Sequence, residues 1–265
     1  MFYSPAVSPA DAIAIFAAGV GAGMINAVAG GGTLLSFPVL LWAGRDPIVA
    51  NATNALALWP GSLAGALGFR RELAKAPRLL SLMLPAAILG GGFGGWLLLS
   101  TPSRLFSSIV PYLVLLATAL MAAQRPLRRL VQADEAAPSD ELHRGRRAVA
   151  LFVGQLAVSI YGGYFGAGMG ILMLAALGLY GVADIHQRNG LKNVASTVIN
   201  GVAGIYFAAS GAIAWGDALA LGTGAIVGGY AGAAVGRRLS RSVAEAVVVA
   251  IGVAMTVALF VRSRS

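Results

Sequence analysis

Long uncharged runs dominate the pattern of hydrophobic and polar positions along the chain. Short polar segments separate them and carry nearly all of the charged residues. The runs cover residues 12–44, 48–69, 79–103, 105–124, 148–183, 193–216, 218–236 and 246–261. Most are close to or above the roughly 20 residues that span a bilayer as a helix. The pattern therefore predicts an all-α polytopic membrane protein with about eight to ten membrane segments.

A glycine triplet interrupts the first run. Gly30, Gly31 and Gly32 precede a short apolar segment, Thr33–Trp42. A helix of that length rises only about 15 Å, half the hydrocarbon thickness. The pattern predicts a broken or re-entrant helix that begins near the membrane midplane, where glycine permits positive φ and leaves amides uncovered. Close helix packing is the alternative explanation for these glycines, and it is the expected role of Gly61, Gly90 and Gly94.

The chain resembles itself after a shift of 139 residues. The segment NALALWPGSLAG from Asn54 aligns with NVASTVINGVAG from Asn193, and FGAGMGILM supplies a second glycine-rich break. A polar stretch with six arginines and four acids separates the halves. The predicted organisation is a first transmembrane repeat over residues 1–123, a cytoplasmic linker over 124–147 and a second repeat over 148–265. Each repeat is expected to hold a broken helix pair and three further transmembrane helices.

Basic loops set the predicted orientation. Lysine and arginine cluster after the second hydrophobic run, in the linker and before the last run, and such clusters mark the cytoplasmic side. If the segments on either side of each break run antiparallel, the first half begins outside and the second begins inside. The repeats are then inverted. Ala137 and Ser240 would face the cytoplasm, while Gly211 would face outward.

Composition adds mainly exclusions. The chain is 58% hydrophobic and 11% charged, has a net charge of +9, and contains no cysteine. Disulfides and thiolate metal sites are thereby excluded, and the scattered basic segments do not form a nucleic-acid-binding domain. Outside the linker the acids fall near segment ends, so no carboxylate is placed to relay protons at mid-membrane. With no metal-ligand cluster or nucleophile motif, we expect neither an enzyme nor a bound cofactor.

Two helix starts at the breaks would offer free amides and partial positive charge to an anion. Asparagines follow each short helix, and Asn54 and Asn193 coincide in the repeat alignment. For Asn51 and Asn189, helix capping is an equal alternative. The predicted substrate-binding residues are Gly30, Gly31, Gly32, Thr33, Asn51, Asn54, Gly166, Gly168, Asn189, Lys192 and Asn193.

Lys192 is the most informative charge. It precedes Asn193 at the predicted start of a helix, where a lysine opposes the helix dipole. No carboxylate at helical spacing neutralises it, so a bound anion would supply the missing negative charge. A lysine that snorkels to the interface is the alternative. The residues alone indicate a site for a small anion and leave its identity open.

Three segments resemble the TauE/SafE family of sulfite exporters. They are GGGTLLSFPVLL, VANATNALALWPGSLAGALGFRREL and RNGLKNVASTVINGVAGIYFAASGAIAW, and the resemblance covers nearly all of the chain outside the linker. It implies that the transported substrate is sulfite, sulfoacetate or a similar organosulfonate. The second half departs from the first by carrying GAGMG in place of the triplet and Lys192 where Thr53 stands.

The sequence and the resemblance together predict a secondary transporter in the inner (cytoplasmic) membrane of a bacterial-type cell. It would export the anion by alternating access of two inverted repeats around a midplane site. An anion channel on the same scaffold and a non-transporting assembly subunit remain as alternatives. The expected partners are the anionic substrate and the lipid bilayer, without nucleic acid, and a homodimer is an open option.

Overall fold

The computed structural model describes residues 8–28, 31–124, 145–182, 184–235 and 241–264. Within these ranges every regular element is an α-helix and no strand occurs, which confirms the all-α prediction. Most of the predicted linker lies outside the described residues, as do Ala137 and Ser240. The helix that follows the linker already begins at Gly145, slightly before the predicted boundary.

Eleven helices make up the described part of the chain. They are α1 (Pro9–Val28), α2 (Thr33–Trp42), α3 (Pro47–Gly68), α4 (Arg70–Leu73), α5 (Pro77–Ser100), α6 (Ser103–Ala122), α7 (Gly145–Tyr164), α8 (Met169–Leu179), α9 (Ile185–Ala209), α10 (Trp215–Val235) and α11 (Arg241–Arg264). Apart from the single turn α4, each half contains a long helix, a break, a short helix and three further helices. This is the order that the sequence predicts.

Hydropathy separates these helices into two groups. Three of them contain windows long and apolar enough to cross a membrane, Pro9–Asn26, Pro77–Ser100 and Ser103–Ala122. The helices α2 and α8 are apolar but have only 10 and 11 residues. The long and short apolar helices together identify a multi-pass membrane protein, because a soluble domain would not place so many apolar faces outward.

Aspartate side chains cap the starts of α3 and α9. The Asp46 carboxylate accepts a hydrogen bond from the Ile48 amide at 2.9 Å, and that of Asp184 accepts one from the His186 amide at 2.8 Å. Such caps satisfy amides that have no partner within the helix. The prediction that Lys192 stands at the start of a helix is therefore wrong. It is the eighth residue of α9, which begins at Ile185.

Each short helix folds back along the helix that precedes its break. A Cβ added to Gly21 of α1 would lie 2.5 Å from the Leu35 side chain of α2. In the second half, the Tyr180 hydroxyl just after α8 donates to the Ala150 carbonyl near the start of α7. The two segments at each break therefore run antiparallel, as the sequence argument required.

Glycines bring α1 and α10 into backbone contact. A Cβ on Gly19 would lie 2.3 Å from the Leu221 carbonyl oxygen, and one on Gly23 would lie 2.2 Å from that of Ala225. No side chain larger than hydrogen fits at such distances, so the two helix axes approach closely. Because the contacts advance in the same direction along both helices, α1 and α10 are parallel.

The helices α5 and α7 pack in the same manner. A Cβ on Gly90 would lie 2.4 Å from the Ser159 side chain, and one on Gly94 would lie 2.2 Å from the Ile160 carbonyl oxygen. The predicted packing role of Gly90 and Gly94 is confirmed. Gly61 has no neighbour within 4 Å, so its predicted packing role is wrong in the described part of the chain.

The helices α3 and α9 cross as an antiparallel pair. The Trp59 indole donates to the Thr197 carbonyl oxygen at 2.8 Å. Six residues further along α3, a Cβ on Gly65 would lie 2.6 Å from Nδ2 of Asn193, four residues earlier in α9. The residue numbers of the contacts thus increase along α3 while they decrease along α9, so the two helices run antiparallel. The pair is formed by the two helices that the repeat alignment equates.

A buried ion pair ties the turn after α2 to the start of α10. The Arg45 guanidinium donates to both carboxylate oxygens of Asp217, through Nε at 2.5 Å and through Nη2 at 3.1 Å. Both side chains are almost completely buried. The Thr53 hydroxyl also accepts a hydrogen bond from the Ala214 amide at 3.0 Å. These contacts place the start of α3 and the end of α9 at the same end of the bundle.

Candidate anion-binding site

Both glycine-rich breaks hold the backbone in the left-handed region. The φ angles are +89° at Gly31, +78° at Gly166 and +79° at Gly168. Glycine adopts these angles without the steric strain that a side chain would add. The expectation of positive φ at the first break is confirmed at Gly31, while Gly30 lies outside the described residues.

At the first break, one backbone amide is already occupied by a neighbouring side chain. The Gly32 amide donates to Oδ1 of Asn26 at 2.8 Å, so a side chain already occupies this amide at the start of α2. The Ser36 hydroxyl donates to Oδ1 of Asn54 at 2.5 Å. Thr33 is the first residue of α2 and is half-buried. Asn26 and Ser36 are not in the predicted set, although a polar residue one turn before a glycine run is a signal for such a cap.

Several backbone donors of the second break make no hydrogen bond among the described residues. The Tyr161 hydroxyl spans the break and donates to the Ala167 carbonyl at 2.5 Å, so it occupies an acceptor and not an amide. Among the described residues, no hydrogen bond is made by the amides of Ala167, Gly168 and Gly170. Free amides next to left-handed glycines are the type of backbone that binds anions.

Lys192 reaches the start of α8. A Cβ added to Gly170, the second residue of that helix, would lie 3.3 Å from Cδ of Lys192. The ammonium group is two bonds beyond this carbon. It has no ion-pair or hydrogen-bond partner within the described part of the chain, and the side chain is half-buried. The lysine is thus brought beside a helix start other than the one that the sequence suggested.

Asn51 lies next to the same break. It is 2% exposed, and its Nδ2 donates to the carbonyl oxygen of Tyr164, the last residue of α7, at 2.9 Å. Its Oδ1 is buried and has no hydrogen-bond partner in the described structure. As the fifth residue of α3, Asn51 is too far inside the helix to act as the cap, which is Asp46.

The two aligned asparagines do not meet. Asn54 bonds Ser36 near the first break, whereas Asn193 packs on Gly65. Positions 54 and 65 are separated by 11 residues of α3, which is about 16 Å along the helix. Asn54 and Asn193 therefore lie at different heights and do not share one small ligand. Asn189 also lies apart from the breaks, since its Nδ2 donates to the carbonyl of Ile185 on its own helix at 2.9 Å.

The two breaks lie beside the last turns of α6. A Cβ on Gly31 would lie 2.1 Å from the Met121 side chain, and one on Gly168 would lie 3.5 Å from Ala117. These two α6 residues are about one turn apart. Phe165 of the second break also packs edge-on against Phe37 of α2, with 5.4 Å between ring centroids. The structure thus brings the breaks together, but with apolar side chains packed at their contact.

Hydropathy, helix count and this site define the class as a multi-pass helical membrane protein in which a lysine, unpaired among the described residues, lies beside a broken helix. The family described as sulfite exporter TauE/SafE matches residues 15–259. The chain belongs to this family of membrane transporters, which is not a class of enzymes.

Curated relatives have the same general description. A "Probable membrane transporter protein" of Haemophilus influenzae is 32% identical over 229 residues, covering 82% of each chain. The "Probable membrane transporter protein ORF9" of a Sinorhizobium species is 29% identical over 224 residues, covering 81% of this chain and 78% of its own. The "Probable membrane transporter protein YfcA" of Escherichia coli K12 is 32% identical over 109 residues, covering 41% and 40%. No solved structure matches the chain.

Proposed function

We propose that this protein is a secondary transporter that exports a small sulfur-containing anion, such as sulfite, sulfoacetate or a similar organosulfonate, across the cytoplasmic membrane. The observation that carries the proposal is the Lys192 side chain against Gly170, next to free amides at the start of α8. An ammonium group there opposes the helix dipole and has no carboxylate partner in the described part of the chain. A bound oxyanion would complete both interactions.

Helix directions support the inverted-repeat part of the proposal. The alignment equates α1 with α7 and α5 with α10, so the parallel pairs α1–α10 and α7–α5 are equivalent contacts. The equivalent helices α3 and α9 run antiparallel. A two-fold axis in the membrane plane relates two halves in this way, and alternating access in other transporters uses such repeats.

The position of the site is also consistent with alternating access. A Cβ on Gly162 would lie 2.5 Å from Sδ of Met169, the first residue of α8, and 3.2 Å from Ile199. Ile199 is two residues from Thr197, which accepts the indole hydrogen bond of Trp59. The start of α8 is therefore level with the α3–α9 crossing. With α8 only 11 residues long, we place the anion near the membrane midplane.

The test is transport by purified protein in sealed proteoliposomes. We expect saturable sulfite flux that is accelerated by sulfite on the opposite side. Ohmic single-channel currents would instead show an anion channel, and no flux would favour an assembly subunit. These outcomes separate the carrier from both alternatives.

Lys192→Met provides the residue-level test, since it keeps the apolar stem and removes the charge. We expect the KM for sulfite to rise about 10- to 100-fold, because a hydrogen bond to a charged group contributes about 1.5–3 kcal/mol. Lys75→Met is the matched control, since Lys75 is exposed between α4 and α5 and its charge is screened by salt. Equal KM values for the two variants would contradict the proposal.

A further inference from the structure

Two buried polar side chains of α9 continue the line of Lys192 along the helix. They are Ser196 and Asn200, which follow the lysine at intervals of four residues. We infer that both are further binding residues for the transported anion. Ser196 shares the negatively charged group with Lys192, and Asn200 binds a second polar group of the ligand. The inference rests on the proposed transport function and deepens it by assigning residues that determine specificity.

The three residues lie on one strip of α9, because side chains four residues apart share a helix face. Lys192 shows where this strip points, since its Cδ lies beside Gly170 at the start of α8. Ile205 is 73% exposed and lies about 180° around the helix from Ser196, since nine residues make two and a half turns. The strip therefore points away from the exposed side of α9 and into the bundle.

Contacts on both sides of Asn200 place it level with the start of α8. Ile199 and Met169, the first residue of α8, meet at one glycine of α7, where an added Cβ would lie 3.2 and 2.5 Å from them. Gly201 lies against Trp59 of α3, since its added Cβ would lie 3.1 Å from the indole nitrogen. Successive helical residues are about 100° apart, so Asn200 points between these two contacts. It faces the space between the second break and α3.

Neither side chain has a partner within the described part of the chain. Ser196 is 7% exposed and Asn200 is 8% exposed, and no hydrogen bond joins either side chain to another described residue. Buried hydroxyl and amide groups are nearly always hydrogen-bonded. The neighbouring Thr197 follows this rule, because its hydroxyl donates to the Asn193 carbonyl of its own helix at 2.8 Å. The strip thus keeps polar groups available for a ligand.

Helix geometry divides the ligand between the two residues. Cβ atoms one turn apart lie about 5–6 Å from each other, so one sulfite-sized group bridges Ser196 and the flexible Lys192 side chain. Asn200 is eight residues from Lys192, about 12 Å along the axis, which is beyond the reach of such a group. A second polar group of a longer ligand reaches it, and its amide both donates and accepts. Ser196 therefore contributes to the binding of every anion, whereas Asn200 distinguishes among longer ligands.

The test is calorimetry on the purified full chain with two monoanions, 2-hydroxyethanesulfonate and propane-1-sulfonate. They have similar length, and the first carries a terminal hydroxyl where the second carries a methyl group. We expect wild type to bind the hydroxyl compound about tenfold more tightly, because it satisfies one buried amide. Asn200→Leu should bind the two anions about equally. Ser196→Ala should weaken the binding of both about three- to tenfold and keep the preference.

Thermal unfolding of the ligand-free protein separates a binding role from a structural one. Because neither side chain has a described partner to lose, Ser196→Ala and Asn200→Leu should not lower the unfolding midpoint. Thr256→Val is the control and should leave both affinities unchanged, since this buried hydroxyl of α11 donates to the Gly252 carbonyl of its own helix at 2.7 Å. If the leucine variant does not fold, Asn200→Ala is the smaller change, and it should also lose the preference.

A lowered midpoint with unchanged affinities in Ser196→Ala or Asn200→Leu would show that the residue only joins helices, which contradicts the inference. If wild type moves sulfite but binds the two sulfonates equally, or binds neither, the role of Asn200 is refuted while the transporter stands. If wild type binds neither sulfonate and moves no sulfite, the transport proposal itself fails, and this inference fails with it.

Discussion

Removing Asp217 should destabilise the protein more than removing any exposed acid. Asp217 and Arg45 are almost completely buried and joined by two hydrogen bonds between the guanidinium and the carboxylate. In Asp217→Ala the guanidinium stays buried without its carboxylate. Breaking a buried pair from one side costs about 3–5 kcal/mol. At about 2–4 °C per kcal/mol for a chain of this size, the unfolding midpoint should fall by roughly 10 °C.

The assay is thermal unfolding of purified protein in one detergent at one heating rate. Glu72→Ala is the control, because Glu72 lies in α4, is only half-buried, and its loss should shift the midpoint by less than about 2 °C. The double variant Arg45→Met with Asp217→Leu should recover most of the stability, since no charge is left buried alone. If Asp217→Ala and Glu72→Ala have the same unfolding midpoint, or if the double variant has the lowest midpoint of all, the desolvation argument is wrong.

Two further predictions concern the glycines and the topology. Gly31→Val should abolish sulfite flux in folded protein, because it strains a φ of +89°. Normal flux in Gly31→Val would mean that the first break has only a packing role. Gly94→Ala should mainly lower the melting temperature by separating α5 from α7, since its Cβ would lie 2.2 Å from a backbone oxygen. Single cysteines at Trp42 and Ser210, exposed positions at one end of the bundle, should label with an impermeant reagent from outside, and one at Lys75 only from the cytoplasm. Labelling of Trp42→Cys and Lys75→Cys from the same side would refute the proposed orientation.

The helices and breaks could be predicted because their causes are local. Hydrophobic runs of membrane length mark the long helices, and the glycine clusters that allow positive φ can be identified directly in the sequence. The start of α3 also has a local signal in the sequence, since Asp46 before Pro47 is a strong helix N-terminus. This signal places Asn51 inside the helix and excludes the capping alternative for it.

The assembly of the site could not be predicted, because it depends on how distant helices cross. Lys192 meets Gly170 through the packing of α9 on α8, and Asn51 meets Tyr164 from the other half of the chain. The repeat alignment predicted that Asn54 and Asn193 share one site, whereas the structure separates them. When two repeat-equivalent helices pack antiparallel, equivalent residues lie at different heights along the pair unless they are at the crossing point. Arg45 and Asp217, 172 positions apart, have no sequence signal that links them.

The glycine contact between α1 and α10 has a consequence for biosynthesis. Gly19 touches Leu221, which follows it by 202 positions in the chain. The ribosome synthesises α1 long before α10. Until α10 is inserted, the small-residue face of α1 contacts lipid instead of its helical partner. The first half expressed alone would keep that face uncovered, and co-expression of the second half as a separate polypeptide should rescue it. Folding of this protein is therefore completed only when its last helices are inserted. Between the insertion of α1 and that of α10, quality-control proteases can degrade the incompletely packed chain.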